Sequence, residues 1–542
     1  MHKLFEEILK TRGLTGEARK AFLNPDYNTK NDPFLLPDMD KAVDRLARAY
    51  HDQEKITIYG DYDIDGLTAT TLLIEALNSF GFTDVGAFIP SRFAEGYGLT
   101  KEAIKRITDD GTRLIITVDC GSLSEQEIIH ANRLGVDVIV TDHHNVAPTQ
   151  PPAIAVINPR RPHHRYPFID LAGVGVAFKL VQALQTCLDG LLAGQEKWLL
   201  DLVALGTVCD VVPLIGENRT NVYWGLKVLS QTRRPGLKAL MTIASVEPAK
   251  INTHHLGFTL GPRLNAAGRL ETAKHALDIL TTKDLTIAFK KAQKLDEFNK
   301  TRRFEQDAIF QDAVKQAEQY QTDPVLVVNA SNWHHGVVGI VASRLLEKYK
   351  KPTYVLVEMG DETKGSARSY GDFSAVDAIR AAGNLITQGG GHTLAAGVTL
   401  PTKNIDAFRR KINEFYRSQN LSNQEELLLP VADATAQFCD VTEDLVEQLA
   451  MLEPFGKGNP QPILKSENLL VVNQQCMGSE AQHVKLDLQD STCQIMPVLA
   501  FRAPQHFFAK PGERVTVWYH PTINEWNGRR TIEGQLLHLK QS

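Results

Sequence analysis

KITIYGDYDIDGLTATTLLIEALNSFG, residues 55–81, decides the fold. KITIYG is apolar and β-branched, which favours a strand. LTATTLLIEALNSFG carries apolar residues at helical spacing and ends on a glycine. Between them Asp61, Asp63 and Asp65 alternate with other residues, and Gly66 closes the turn. The six residues DYDIDG also match the opening of a calcium EF-hand loop. That loop needs a bidentate glutamate at its twelfth position and a helix in front. Counting from Asp61, the twelfth position is Leu72, and a strand-like segment precedes it. The EF-hand is excluded, and the three carboxylates sit instead at a strand-to-helix turn.

Working outward, TRLIITV (112–118), VDVIVT (136–141) and AIAVINP (153–159) read as strands, with SLSEQEIIHANRLG (122–135) helical between the first two. Strands alternating with helices imply a parallel, doubly wound sheet. Residues 1–45 read as a short helical cap and loop, and 46–215 as the first α/β domain. Residues 216–323 read as a helical connector. From 284 to 323 there is neither Gly nor Pro, and Leu285, Ala288, Phe289, Ala292, Leu295, Ile309, Ala313 and Ala317 keep a helical period, so one long helix or two nearly continuous ones are expected. PVLVVN restarts an α/β pattern over 324–425, with VVGIVASRLLEKY and SAVDAIRAAGNLI helical and PTYVLVE a strand. In 426–542, NLLVVNQQCM, HVKLDLQD, QIMPVLAF, RVTVWYH and RRTIEGQLLHL are short strands, and Asn527-Gly528 is a hairpin signal. Five such strands fit a small β-barrel of the OB type.

The chain has 542 residues, 43% hydrophobic and 23% charged, with a formal net charge of −5. That balance gives no global case for nucleic-acid binding, so any basic surface is local. The opening MHKLFEEILKTRG mixes charges and does not read as a secretion signal, and no apolar run approaches the ~18 residues of a membrane span. The six cysteines are scattered and include no C-x-x-C pair, which argues against a disulfide framework or structural zinc site and suits a reducing cytoplasm.

More acidic and histidine residues follow the other strands. TVDCGS places Asp119 after one strand, VTDHHN places Asp142, His143 and His144 after the next, and ALGTVCDVVPL places Asp210 after a helix. In open α/β sheets the ligand site lies at the carboxyl ends of the strands. So many carboxylates there repel unless cations neutralise them. Oxygen and imidazole donors suit Mn²⁺ or Mg²⁺, and two such ions form the clamp used in phosphoester hydrolysis. Taken one at a time these residues also suit capping and turn roles; it is their recurrence at successive strand ends that points to a metal centre. Cys120 and Cys209 read as small apolar fillers, and His163 and His164 as exposed residues.

Together these stretches resemble the DHH phosphoesterases. YGDYDIDG resembles motif I, TVDCGS motif II, TDHHN motif III and GTVCD motif IV. NWHHGVVGIVASRL (332–345), GSARS (365–369) and GGGHTLAAG (389–397) resemble the family's DHHA1 domain, and LGPRLNAAGRL (260–270) is similar to its single-strand-specific exonuclease branch. The resemblance implies that Asp63 and Asp65 bind one ion, Asp119 bridges, and His143 and Asp210 bind the second, with Asp61, Asp142 and His144 in the same motifs. Tyr59 stands where many relatives carry a histidine, and Asp61 is additional. The implied activity is 5′→3′ hydrolysis of single-stranded DNA to nucleoside 5′-monophosphates, in DNA repair and recombination. Arg269, Arg368, Ser369, Gly390, Gly391 and His392 are the implied substrate contacts; Trp333 suits stacking on a base and a buried role equally well. Ser343 and Arg344 suit a structural role equally well. In the barrel, Lys485, Arg514, Arg529, Arg530, Trp518, Tyr519 and Trp526 are candidates for single-strand binding. No P-loop is present, so unwinding would fall to a helicase, with a single-strand-binding protein as a second partner. A cytoplasmic monomer without membrane contact is expected. The alternative within the family is a hydrolase of oligoribonucleotides, cyclic dinucleotides or pyrophosphate. A module of this fold that keeps binding but not catalysis is a third reading, against which the intact ligand set speaks.

Overall fold

The computed structural model describes residues 1–541 apart from 93–94, 97, 420, 422–428 and 479–480. Two compact units emerge: one of Met1–Gly261, Leu277–Phe289 and Pro430–Ser542, the other of Pro262–Ala276 and Lys290–Leu429.

The first unit is built on five strands, β1 (Ile56–Gly60), β2 (Val85–Phe88), β3 (Leu114–Val118), β4 (Asp137–Thr141) and β5 (Ala155–Ile157). They lie in the order β2-β1-β3-β4-β5, all parallel, as the alternating pattern requires. β1 and β3 are buried along their whole length, which explains their unbroken apolar sequences. The helix Ile64–Phe80 is capped at its start by Asp63, which accepts from Gly66 N at 3.1 Å, and ends at Gly81 with φ 101°. Gly173–Leu184 and Leu200–Cys209 pack against this helix.

Two boundaries differ from the sequence reading. Helix Met39–His51 runs through the 45/46 division, because Arg45 and Asp38 tie it to the first sheet: Arg45 Nε donates to Asp137 at 2.6 Å, and Val156 N donates to Asp38 at 3.2 Å. The proposed connector likewise starts inside the first unit. Gly216–Leu229 lies along Leu200–Cys209 so closely that a Cβ on Gly225 would come 2.4 Å from Leu200 O. The single long helix is present as Leu285–Ala317, 33 residues.

The barrel also belongs to the first unit. β11 (Ala434–Thr435) flanks β12 (Leu464–Met477), β13 (His483–Gln489), β14 (Ile495–Ala500), β15 (Arg514–Trp526) and β16 (Arg529–Gln541). The order β12-β13-β14-β16-β15 closes through a β12–β15 pairing, which removes the open edges. Asn527 and Gly528, at φ 49° and 73°, make the two-residue turn between β15 and β16. The N-terminal helix Lys3–Thr11 is no separate cap: Leu4, Phe5, Ile8 and Leu9 enter the barrel core beside Leu445, Leu464 and Val517. A short amphipathic helix cannot bury its apolar face by itself.

In the second unit β6 (Leu326–Ala330), β7 (Thr353–Met359), β8 (Glu362–Arg368), β9 (Gln388–Gly391) and β10 (Ala395–Pro401) form a mixed sheet in the order β6-β7-β8-β10-β9. The helices Val338–Tyr349, Ala375–Ala381 and Ile405–Ser418 accompany it.

Candidate active site

The carboxyl ends of β1, β3 and β4 carry the acidic motifs. Gly66 lies against the backbone of Asp61, where a Cβ would stand 2.6 Å from Asp61 N, so the turn that gathers Asp61, Asp63 and Asp65 needs glycine. Asp65 is sealed in the first turn of helix Ile64–Phe80, and it accepts from Gly173 N at 2.6 Å and Val174 N at 2.8 Å. Those amides open the helix Gly173–Leu184, a favourable place for an anion. Asp119 takes a left-handed backbone at φ 61°, an unusual conformation of the kind found at functional sites.

The acidic groups meet around His143. Its Nε2 lies 3.1 Å from Asp119 Oδ1, 3.6 Å from Asp210 Oδ2 and 3.8 Å from Asp65 Oδ2. Three sets of donor atoms each fall within 4.8 Å: Asp65, His143 and Asp210; Asp61, Asp63 and Asp119; Asp119, His143 and His144. The first two divide the ligands as two neighbouring ion sites would, but Asp65 groups with His143 and Asp210 rather than with Asp63, unlike the expected pairing, because its place in the first turn of the helix turns it toward Gly173 and His143; Asp119 reaches His143 as well. Burial pushes the carboxyls up, helped by their neighbours: Asp61 to about 8 and Asp65 to about 7, each beside Asp63. Asp210 rises to about 8 through burial and the charges of Asp65 and Asp63, and Asp119 rises well above the usual range for the same causes. Asp61 Oδ1 is buried without a hydrogen-bond partner. This is a cradle of negative charge that the protein itself does not neutralise, and it fits divalent cations. The donors are oxygen and imidazole, which suits Mn²⁺ or Mg²⁺. The cysteines stay out: Cys120 and Cys209 direct their thiols to the carbonyls of Tyr59 and Leu256, and burial pushes both thiols up.

The two histidines diverge. Burial and the neighbouring His144 lower His143 to about 4, leaving a neutral imidazole fit to ligate. Burial works against the charge on His144, but the Asp142 carboxylate 2.8 Å from its Nδ1 outweighs it and raises it to about 9. Asp142 itself is employed in full: burial would raise it, yet the His144 contact and the amides of Ser122, His143 and His144 hold it low. It serves as the brace of the histidine turn. Sequence reasoning did not single out Asn158 and Arg160, which complete that brace by donating to His144 O at 2.9 Å and His143 O at 2.7 Å. Only their place after β5, in INPRR, could have hinted at this.

In the second unit, Arg269 Nη1 donates to Gly336 O at 3.0 Å, and Arg368, at the end of β8, lies beside Gly339. Both arginines thus border the start of helix Val338–Tyr349. Gly390, Gly391 and His392 are exposed on and just after the edge strand β9, and a Cβ on Gly390 would meet nothing within 4 Å. Trp333 is a correction: the indole is buried in the core, with Nε1 donating to Asp312 at 2.9 Å, so it has no face for a base. Ser369 is buried too, its hydroxyl donating to Phe373 O at 2.7 Å. Ser343 Oγ reaches Gly339 O, and Arg344 pairs with Asp307 at 2.5 Å, so both serve the helix packing. In the barrel, Tyr519 lies in the core, Trp518 is buried against His538 and Lys465, Arg514 binds Asn468, and Arg530 pairs with Glu443 and Glu447. Lys485 is half-buried, whereas Trp526 and Arg529 stand exposed at the β15–β16 hairpin tip.

Comparison with known proteins gives one consistent answer. The N-terminal domain of the DHH family matches residues 55–207, the DHHA1 domain 322–418, and the RecJ OB domain 432–538. The single-stranded-DNA-specific exonuclease RecJ of Bacillus subtilis is 36% identical over 97% of this chain, which spans 66% of that protein's length. The RecJ of Escherichia coli is 34% identical, over 92% of this chain and 89% of its own. The crystal structure of Thermus thermophilus RecJ with Mn²⁺ superposes over 100% of this chain and 76% of that one, with a TM-score of 0.86 and 29% identity. A second RecJ structure bound to manganese covers 72% of this chain and 97% of its own, at TM-score 0.63 and 33% identity.

Proposed function

The chain belongs to the RecJ family of single-stranded-DNA-specific exonucleases, and from that premise we propose that it is a metal-dependent exonuclease degrading single-stranded DNA from the 5′ end to nucleoside 5′-monophosphates. The observation that carries this reading is the buried meeting of Asp65, Asp119 and Asp210 on His143 Nε2, all within 3.8 Å. Asp61, Asp63, Asp65, Asp119, His143 and Asp210 would hold two Mn²⁺ or Mg²⁺ ions, which when bound would supply Lewis acidity and lower the pKa of a coordinated water. The chain's own residues prepare the rest. Asp142 keeps His144 protonated and oriented, and His144 is partly open to solvent, so it can donate a hydrogen bond to a phosphate oxygen. His143 stays neutral and presents Nε2 to the carboxylates. Arg269, Arg368 and the glycine edge of β9 supply cations and open backbone to the DNA phosphates.

The hydrolase of dinucleotides or pyrophosphate is the weaker reading, since a small substrate has no use for a closed barrel with an exposed tryptophan at its hairpin tip. Digestion of 5′- and 3′-labelled single-stranded and duplex DNA with Mn²⁺ or Mg²⁺ tests the proposal. Mononucleotides released from the 5′ end of single strands support it, and faster turnover of dinucleotides overturns it. A helicase and a single-strand-binding protein are the proposed partners of a monomeric cytoplasmic enzyme; absence of any stimulation by either overturns that part.

A further inference from the structure

A cavity of about 710 Å³ adjoins the metal cradle on the side of Asp210. Cys209 and Val211, the neighbours of Asp210, line it, together with Phe258, Phe455 and Lys457. Its size is that of a small-ligand site. Three independent features show that it is built. Val211 is a β-branched residue at φ 59°, more than half exposed, directly after a metal-cradle aspartate. Phe258 is 74% exposed, and its ring is backed by the parallel imidazole of His254, with centroids 5.0 Å apart and planes at 24°. It rides on a π-helical segment, His255–Leu260, a rare conformation that recurs at functional sites.

The opposite wall is the loop EPFGKGNP, residues 453–460, which leads into the barrel. The buried Arg219 holds it by donating to the carbonyls of Leu452 at 2.9 Å and Glu453 at 2.8 Å. Asn459 Nδ2 donates to Leu452 O and Pro454 O, Thr253 Oγ1 to Phe455 O, and Leu214 N to Lys457 O at 2.7 Å. A loop fastened at so many points holds the backbone of Lys457 at the cavity wall and leaves its side chain exposed there.

An exposed aromatic face with apolar walls suits a nucleobase, and a lysine on the wall of a cavity that adjoins the metal cradle suits a phosphate. We propose that this cavity seats one nucleotide of the single-stranded substrate, its base against Phe258 and its phosphate on Lys457, so that the loop leading into the barrel is a wall of the active site. The inference rests on the nuclease reading above.

The test walks a single abasic residue through the first positions of a labelled single strand, digested by the whole chain with Mn²⁺. In the native chain one position raises KM about tenfold, as expected for one lost base stack. In Phe258→Ala that penalty disappears while KM for intact DNA rises by a similar factor. Lys457→Ala raises KM severalfold at low salt and reduces the salt slope by about one phosphate, and Lys457→Arg restores both. A penalty that persists unchanged in Phe258→Ala, or an unchanged KM and salt slope in Lys457→Ala, overturns the inference and leaves the nuclease assignment standing. Failure of the native chain to digest single strands overturns both.

Discussion

The helix Leu200–Cys209 has an aspartate at each end, Asp201 buried and Asp210 half-buried at the C-cap, and the two live in opposite surroundings. Asp201, in the first turn, accepts from Arg234 Nε at 2.9 Å and from Thr232 Oγ1 at 2.8 Å. Arg234 also reaches Glu75, which Lys283 joins. Burial raises Asp201, and Arg234 works against the rise. Asp210, at the C-cap, faces Asp65, Asp63 and the neutral His143, at the end of the helix whose dipole disfavours a negative charge. A buried charge that the protein answers with a cation is architecture. One that it crowds with other carboxyls, with no arginine or lysine bonded to it among the described residues, is reserved for something bound.

The largest effect separates the two sites by activity. Asp119→Asn keeps the size of the side chain and tolerates the left-handed backbone, yet removes a carboxylate that the proposed metal set needs; nucleotide release with Mn²⁺ should fall on the order of 10³-fold. An activity within tenfold of native would break the distinction. At Asp201 the cost falls on the fold. Arg234→Ala leaves a buried carboxylate unpaired and should destabilise the protein by about 3 kcal/mol in denaturant unfolding, while the folded fraction still cleaves DNA.

The third effect is a pH dependence of the metal-free chain. Asp61 and Asp210 are raised to about 8 and Asp65 to about 7, from 3.8. A raised carboxyl favours the folded state while protonated, so that stability is lost as pH climbs through the folded value. Between pH 6.5 and 8 the melting temperature should therefore drop by a few degrees, and Mn²⁺ should restore it by binding the ionised form. A flat profile without metal would mean that the acidic cradle is compensated after all. The smallest effect is at the barrel: Trp526→Ala at the hairpin tip should raise KM for long single strands about fivefold and leave short ones unaffected.

Much of this was legible in the chain. Asp61, Asp63, Asp65, Asp119 and His143 stand at strand ends because a buried parallel strand writes an apolar run and the turn after it must be polar. The Asn527-Gly528 turn and the barrel strands are equally local signals. The misread residues share one cause. Trp333 was offered to a base because sequence cannot show which face of an indole is covered, and Lys3–Thr11 was set apart because its partner, the barrel core, lies more than 430 residues further on.

The sequence by itself determined the element types, the order of the domains and the chemistry of the metal cradle, since each is encoded within a few turns or strands of chain. Only the tertiary structure decided that Asp142 braces the histidine turn, that Asp201 pairs with an arginine while Asp210 stands among carboxyls, and that Phe258 and Lys457, 199 positions apart, share one cavity. The physical reason is that charge compensation and cavity walls are set by long-range packing, which joins segments whose local sequence carries no mark of one another.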